Sequence, residues 1–237
     1  MILDEVHDNP AHHVWQAEAL ADVRPAALVF EMLLPEQAER VTPALRADRA
    51  ALEAALGWEA RGWPDFAMYH PIFLAAPEAE VFGADVPRDA VRAALSEGGA
   101  AVFDGLFAGE APRFGLDLAL PASVQADRED RKARSHCHAL PEEMLPGMVE
   151  AQRLRDAALA RAAVEAHRAT GGPVAVITGT GHARNDWGVP ALLALAAPEL
   201  SVFSVGQFET DRGPNAPFDR VRVTAPVDRP DPCAAFQ

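Results

Sequence analysis

Residues 173–190 read PVAVITGTGHARNDWGVP. The opening run, Pro173-Val174-Ala175-Val176-Ile177, is short, apolar and β-branched, the pattern of a strand buried on both faces of a parallel sheet. It is preceded by Pro146 to Thr170, rich in Ala, Arg, Glu and Leu, which reads as the strongest helix of the chain and is stopped by Gly171-Gly172. It is followed by a polar glycine turn, a helix near Pro190 to Ala197 and a strand over Ser201 to Val205. Strands alternating with helices predict crossover units and a parallel sheet.

The same grammar recurs upstream. Met1 to Val6 is an apolar run, and Asp8-Asn9-Pro10 supplies a helix cap with proline in the first turn, so a helix is predicted over Pro10 to Asp22. Ala26 to Phe30 is a second buried strand closed by Glu31, Ala79 to Ala84 a third, and Arg220 to Val223 a final edge strand. Residues 36–76 are helical in composition and include the aromatic stretch GWEARGWPDFAMYHPIF. The expected fold is therefore α/β: a mainly parallel β-sheet flanked by helices, one domain over residues 1–237, with a small helical cap subdomain at about 36–76 and an irregular insertion at about 98–140. The charged run Asp127 to Arg134 reads as a solvated face.

A length of 237 residues suffices for one large core. The net charge of −14 repels phosphate backbones and anionic lipid, which argues against nucleic acid and bare membrane as partners. No apolar run approaches the roughly 18 residues of a membrane span. The opening MILDEVHDNP has neither the basic start nor the apolar stretch of a signal peptide, so the chain reads as cytoplasmic as given, and as periplasmic or membrane-anchored if it is a trimmed form. Cys137 and Cys233 set neither a disulfide framework nor a zinc pattern and read as structural.

Chemistry gathers at the strand ends. Glu5 and His7, two apart on an extended strand, share a face. Glu31 closes the second strand, and His182 and Arg184 follow the strand that ends at Gly179. Ligands of open α/β sheets bind outside the carboxyl ends of strands, where crossover directions diverge, so if these strands are neighbours Glu5, His7, Glu31 and His182 converge on one cleft. Glu5, His7 and His182 have the donor chemistry for a divalent metal. Without metal, a histidine serves as base on water, a carboxylate fixes its tautomer, and Arg184 stabilises developing negative charge. Gly179-Thr180-Gly181 lacks the full dinucleotide or P-loop pattern and reads as a turn that brings His182 to the cleft. His12 and His13 are expected to be exposed. Gln152 and Arg155 share a helical face with Met148 and are expected to reach the strand-end cluster and pair with Glu5 or Glu31.

Four ordered blocks, EVHDNPAHHVWQ (5–16), VFEML (29–33), HCHALPEEMLPGMVEAQRLRD (136–156) and GTGHARNDWGVP (179–190), together resemble the ChaN-like proteins, grouped with the Tiki proteases and erythromycin esterases. The resemblance implies a haem-binding protein of iron uptake or haem handling, related to lipoproteins, with haem sandwiched between two subunits. It implies, as the alternative, a hydrolase that uses Glu5, His7, Glu31 and His182; a binding protein for another small anion is the third reading. Members usually carry Gly where this chain has Asp4. Within the resemblance a tyrosine is the expected haem ligand, and the chain has one, Tyr69, with His70 as the adjacent alternative; Trp63, Phe66, Met68 and Phe73 around it either wall a flat macrocycle or pack the cap against the core, the Tyr69 hydroxyl then bonding elsewhere. As a ligand, Tyr69 would contribute charge-transfer bands that Tyr69→Phe removes.

Overall fold

The computed structural model describes residues 1–231 and 233–234. They form two compact units, Met1–Asp85 with Leu159–Val227 and Val86–Ala158 with Asp228–Gln237.

The first unit holds the sheet. Its strands are β1 (Ile2–Glu5), β2 (Ala27–Phe30), β3 (Glu80–Gly83), β4 (Val174–Gly179), β5 (Ser204–Phe208) and β6 (Arg220–Val223). All pairings are parallel and the order is β3-β2-β4-β1-β5-β6. The chain leaves β1 toward β2, passing β4, and leaves β4 toward β5, passing β1. Neighbouring strands β1 and β4 thus send their connections in opposite directions. Their carboxyl ends, where Glu5 lies opposite Gly179, are the switch point of the sheet.

Five of the six strands lie within two residues of the spans read from sequence at either end. β5 is displaced by three residues at each end and carries Gly206 inside it. A Cβ there would come within 2.8 Å of both the Phe208 and Phe218 rings, so the strand continues only because the residue is glycine.

After β1, helix α1 (Pro10–Val23) starts at Asn9, whose side chain accepts the Ala11 N–H at 3.0 Å, and ends at Arg24 in the left-handed region. The expected cap helices are α2 (Pro35–Ala38), α3 (Pro43–Ala47), α4 (Arg49–Leu56) and α5 (Phe66–Ala75). Their aromatic residues are core. Phe73 of α5 stacks on Phe30 of β2 at 4.5 Å between ring centres, and Trp58 packs on Phe66 at 5.1 Å, in one cluster with Leu3, Leu28 and Ile177.

The second unit contains α6 (Arg88–Glu97), α7 (Gly99–Leu106), α8 (Ala122–Ser135) and the start of α9 (Leu145–Thr170), which continues into the first unit. α10 (Val189–Ala196) follows β4. Much of the stretch expected to be irregular, 98–140, is thus helical. Gly99 is a packing contact: a Cβ would stand 2.6 Å from the Glu150 carbonyl oxygen. The charged run is also not wholly solvated, since Arg128 is buried and pairs with Asp156 at 3.1 Å. Gln152 accepts from Lys132 Nζ at 2.6 Å and donates to Asp156 at 3.2 Å, both partners within this unit.

The cysteine reading needs correction. Cys137 and Cys233 form a disulfide with Cα atoms 5.5 Å apart, at a sequence separation of 96. Pairing at that separation comes from tertiary proximity, which spacing alone does not encode.

Removing one partner of a buried ion pair strands the other charge. Asp156→Ala is expected to lower stability by about 3–5 kcal/mol, measured by urea unfolding, because it leaves Arg128 without its buried carboxylate.

Candidate functional site

Side chains alternate along β1, which places Asp4 on one face and Glu5, with His7 beyond it, on the other. Glu5 is buried and surrounded by donors. Its Oε1 accepts from the Tyr69 hydroxyl at 2.6 Å and pairs with His7 Nδ1 at 2.8 Å. Its Oε2 accepts from Gln16 Nε2 at 2.9 Å and faces His13 Nδ1 at 3.4 Å. Burial alone disfavours the charged carboxylate, but the two histidines outweigh it and bring its pKa down to about 2. His13 shows the same balance in reverse. Burial works against its charge, the Glu5 carboxylate prevails, and its pKa is raised. Its Nε2 lies 2.9 Å from the His7 carbonyl oxygen, an acceptor only, so that nitrogen carries a proton.

Glu31, just past β2, anchors the other half. Its Oε2 accepts from Thr178 Oγ1 and from the Gly179 N–H, both at 2.7 Å. Its Oε1 faces His182 Nε2 at 3.4 Å and His7 Nε2 at 4.0 Å. Gly179 lets this happen: a Cβ there would sit 2.8 Å from His7 Nε2. The glycine turn therefore makes room for His7, where the sequence had suggested room for His182. The His182 backbone is pinned by its N–H to Gly179 O at 2.9 Å and its carbonyl to the Val189 N–H at 2.8 Å.

Glu5, His7, Glu31 and His182 thus meet at the carboxyl ends of β1, β2 and β4, as their strand-end positions predict. Within this group the His7 side chain is 31% exposed, against 6% for His182 and 4% for Glu31. His7 also meets the Trp63 ring edge-on at 5.1 Å.

Other expected members are placed differently. Arg184 is drawn off by Asp186, with Nε and Nη2 at 3.0 and 2.5 Å from its two oxygens, and its guanidinium lies 4.0 Å over the Trp187 ring. It does not point its charge at the carboxylate–imidazole cluster as an anion stabiliser. His70 directs Nε2 to the Arg46 carbonyl at 2.8 Å. Tyr69 is in the cluster but fully buried, its hydroxyl spent on Glu5. Burial and the Glu5 charge push its pKa far up, opposing the phenolate an iron ligand needs. Among the described residues no group of three or more His, Cys, Asp or Glu side chains is arranged to hold a metal ion. The expected trio Glu5, His7 and His182 fails because Glu5 is already filled by donors from Tyr69, His7 and Gln16.

The sequence reading placed α1 but missed its buried polar face. His12, His13 and Gln16 are buried, not exposed. His12 Nδ1 accepts the Val6 N–H at 2.9 Å, so Nε2 carries the proton given to Thr224 Oγ1 at 2.8 Å. Burial takes the His12 pKa down to about 4, consistent with a neutral ring. The signal was present: two histidines and a glutamine at helical spacing, directly after the strand that carries Glu5. On the opposite face, Asp4 is fully buried and accepts the Gln207 N–H at 3.0 Å. Burial dominates and raises its pKa well above the ordinary carboxylate value, favouring the neutral acid.

The model of a family described as haem-binding uptake, Tiki superfamily, ChaN, matches residues 1–193. A solved structure described as cofacial heme binding to ChaN of Campylobacter jejuni superposes with a TM-score of 0.63, over 93% of this chain and 85% of that one, at 16% identity. No curated protein matches in sequence.

Two outcomes are expected. Gly179→Ala should displace the His7 imidazole and lower stability by about 1–3 kcal/mol, read from thermal unfolding and from the His7 ring resonances. Asp4 keeps a proton in the folded state that the unfolded chain releases above its ordinary pKa of 3.8, so its contribution to stability falls as pH rises from there toward the raised folded value. Asp4→Asn should remove that slope and be more stable than the parent at pH 7, in urea unfolding repeated across pH.

Proposed function

The chain belongs to the haem-binding uptake family of the Tiki superfamily, ChaN, whose model spans residues 1–193, and from that premise we propose that it binds haem at the carboxyl ends of β1 and β4 as part of iron uptake or haem handling. A haem site needs a nitrogen or oxygen ligand open to the porphyrin and an apolar wall beside it. His7 meets both needs. It carries the exposure that Glu31, His182, His13 and Tyr69 lack, and Trp63 flanks it. Its Nδ1 is held by Glu5 at 2.8 Å, and a carboxylate behind a ligating imidazole orients the ring and raises its basicity. That pairing of exposure with a buried carboxylate partner carries the proposal. Haem bound there supplies an iron able to take an imidazole nitrogen; the chain supplies orientation and a fixed negative charge behind it.

The Campylobacter jejuni relative is described as binding haem cofacially. On this chain the same arrangement would place two haems between two copies, so a homodimer forming on haem addition belongs to the proposal. The Cys137–Cys233 cross-link suits an oxidising compartment, where a protein of haem uptake would meet its ligand. The hydrolase alternative finds no support in the comparisons, and Arg184, its expected charge stabiliser, is committed to Asp186.

Titration with ferric haem, followed by absorption spectroscopy and sedimentation, tests this. A saturable spectral change is expected in the parent chain and loss of its nitrogen-ligand signature in His7→Ala. No spectral change in the parent would remove haem as the ligand; an identical spectrum in His7→Ala would remove His7 from the site.

A further inference from the structure

We propose that Tyr69 is a positioning residue that acts on His7 through Glu5, and that it does not itself ligate iron. The Tyr69 hydroxyl stands 2.6 Å from Glu5 Oε1, 3.3 Å from His7 Nδ1 and 3.4 Å from the His7 carbonyl oxygen. It has one proton to donate, and the shortest of these contacts is to a carboxylate, which only accepts. With that proton on Glu5 Oε1, the 2.8 Å contact between the same oxygen and His7 Nδ1 requires a proton on Nδ1. The lone pair of the neutral ring then resides on Nε2, the nitrogen that faces Glu31 and lies over Gly179.

The opposite tautomer is disfavoured by the same geometry. A bare Nδ1 would oppose a carboxylate oxygen at 2.8 Å, acceptor against acceptor. Relief would need the Tyr69 proton to turn to Nδ1 over the longer 3.3 Å path, leaving Glu5 Oε1 without a donor in a buried place, which is costly. The Tyr69 hydroxyl thus has two roles. It fills one lone pair of Oε1, and by sharing that oxygen it tempers the pull of Glu5 on the His7 N–H. The phenol cannot reach an outside ligand as it stands, because it has no exposed surface and its ring is packed on His13 at 4.2 Å and Trp58 at 4.7 Å.

The first readout uses haem-free protein and so stands whatever becomes of the haem proposal. Nitrogen-15 resonances of the His7 ring should show the Nδ1–H tautomer in the parent chain. Glu5→Gln, whose amide can donate to Nδ1, should shift the ring toward Nε2–H. Tyr69→Phe should keep Nδ1–H and move its proton to lower field, because Oε1 then serves His7 alone. The second readout rests on the haem reading. With ferric haem bound, Tyr69→Phe should keep the ligand set and move the reduction potential negative, as a stronger carboxylate–imidazole bond makes the ligand more basic. Glu5→Gln should weaken haem binding by about 10–100-fold. Loss of phenolate-to-iron bands in Tyr69→Phe would make Tyr69 the ligand and overturn the proposal. A Tyr69→Phe protein whose His7 resonance is unchanged would overturn it as well. Should Tyr69→Phe fail to fold, Glu5→Gln decides: a His7 ring that stays Nδ1–H there sinks the idea.

Discussion

An ionised carboxylate inside a protein must be surrounded by donors or it neutralises. Glu5 satisfies that demand with groups from three separate segments: His7 just past its own strand, Gln16 and His13 from α1, and Tyr69 from α5. No single segment supplies enough. The carboxylate therefore ties the helix after β1 and the last cap helix to one end of the sheet, and the cleft is built outward from it. Glu31 repeats the solution on a smaller scale. Its donors are Thr178 and the Gly179 N–H, so β4 holds the second carboxylate as α1 and α5 hold the first.

The parts legible in the sequence are those governed by short-range pattern. Buried-strand runs, the Asn9-Pro10 helix start and the Gly171-Gly172 stop are local chemistry, and the strands they bracket carry Glu5, Glu31 and Gly179 to one end of the sheet. Period-two alternation was enough to put Glu5 and His7 on one face. Whether β1 and β4 are neighbours is a matter of topology that local pattern does not carry; the single cleft is expected on the condition that they are, and the sheet order meets it.

What stayed illegible is governed by partners far apart in sequence. His13 reads as a surface residue because a histidine in a first helical turn carries no mark of which way the helix will roll; only the docking of α1 on β1 aims it at Glu5. Tyr69 lies in the cluster, bonded to Glu5, and nothing in its neighbours' composition announces that partner. An aromatic segment has the same composition whether it walls a ligand or fills a core, and here Phe30, Phe66 and Phe73 settle it as core. Arg184 reads as a free cation until the turn that also carries Asp186 closes on it. The Cys137–Cys233 bond joins residues 96 apart, beyond any spacing argument.

The arrangement of exposure follows from the same constraint. A group that fixes another must be immobile, and a group that meets a ligand must be reachable, so one residue cannot easily do both. The cluster divides the labour by depth: Glu5, His13, Gln16 and Tyr69 are buried, and His7, one turn of chain beyond the last strand residue, reaches the surface. The missing Cβ at Gly179 is what allows that reach, because any side chain there would take the space the His7 ring occupies. A tyrosine placed where Tyr69 is can tune the imidazole in front of it. It could become a ligand itself only by leaving Glu5, and the carboxylate would then lose a donor in the one place where it has no water to replace it.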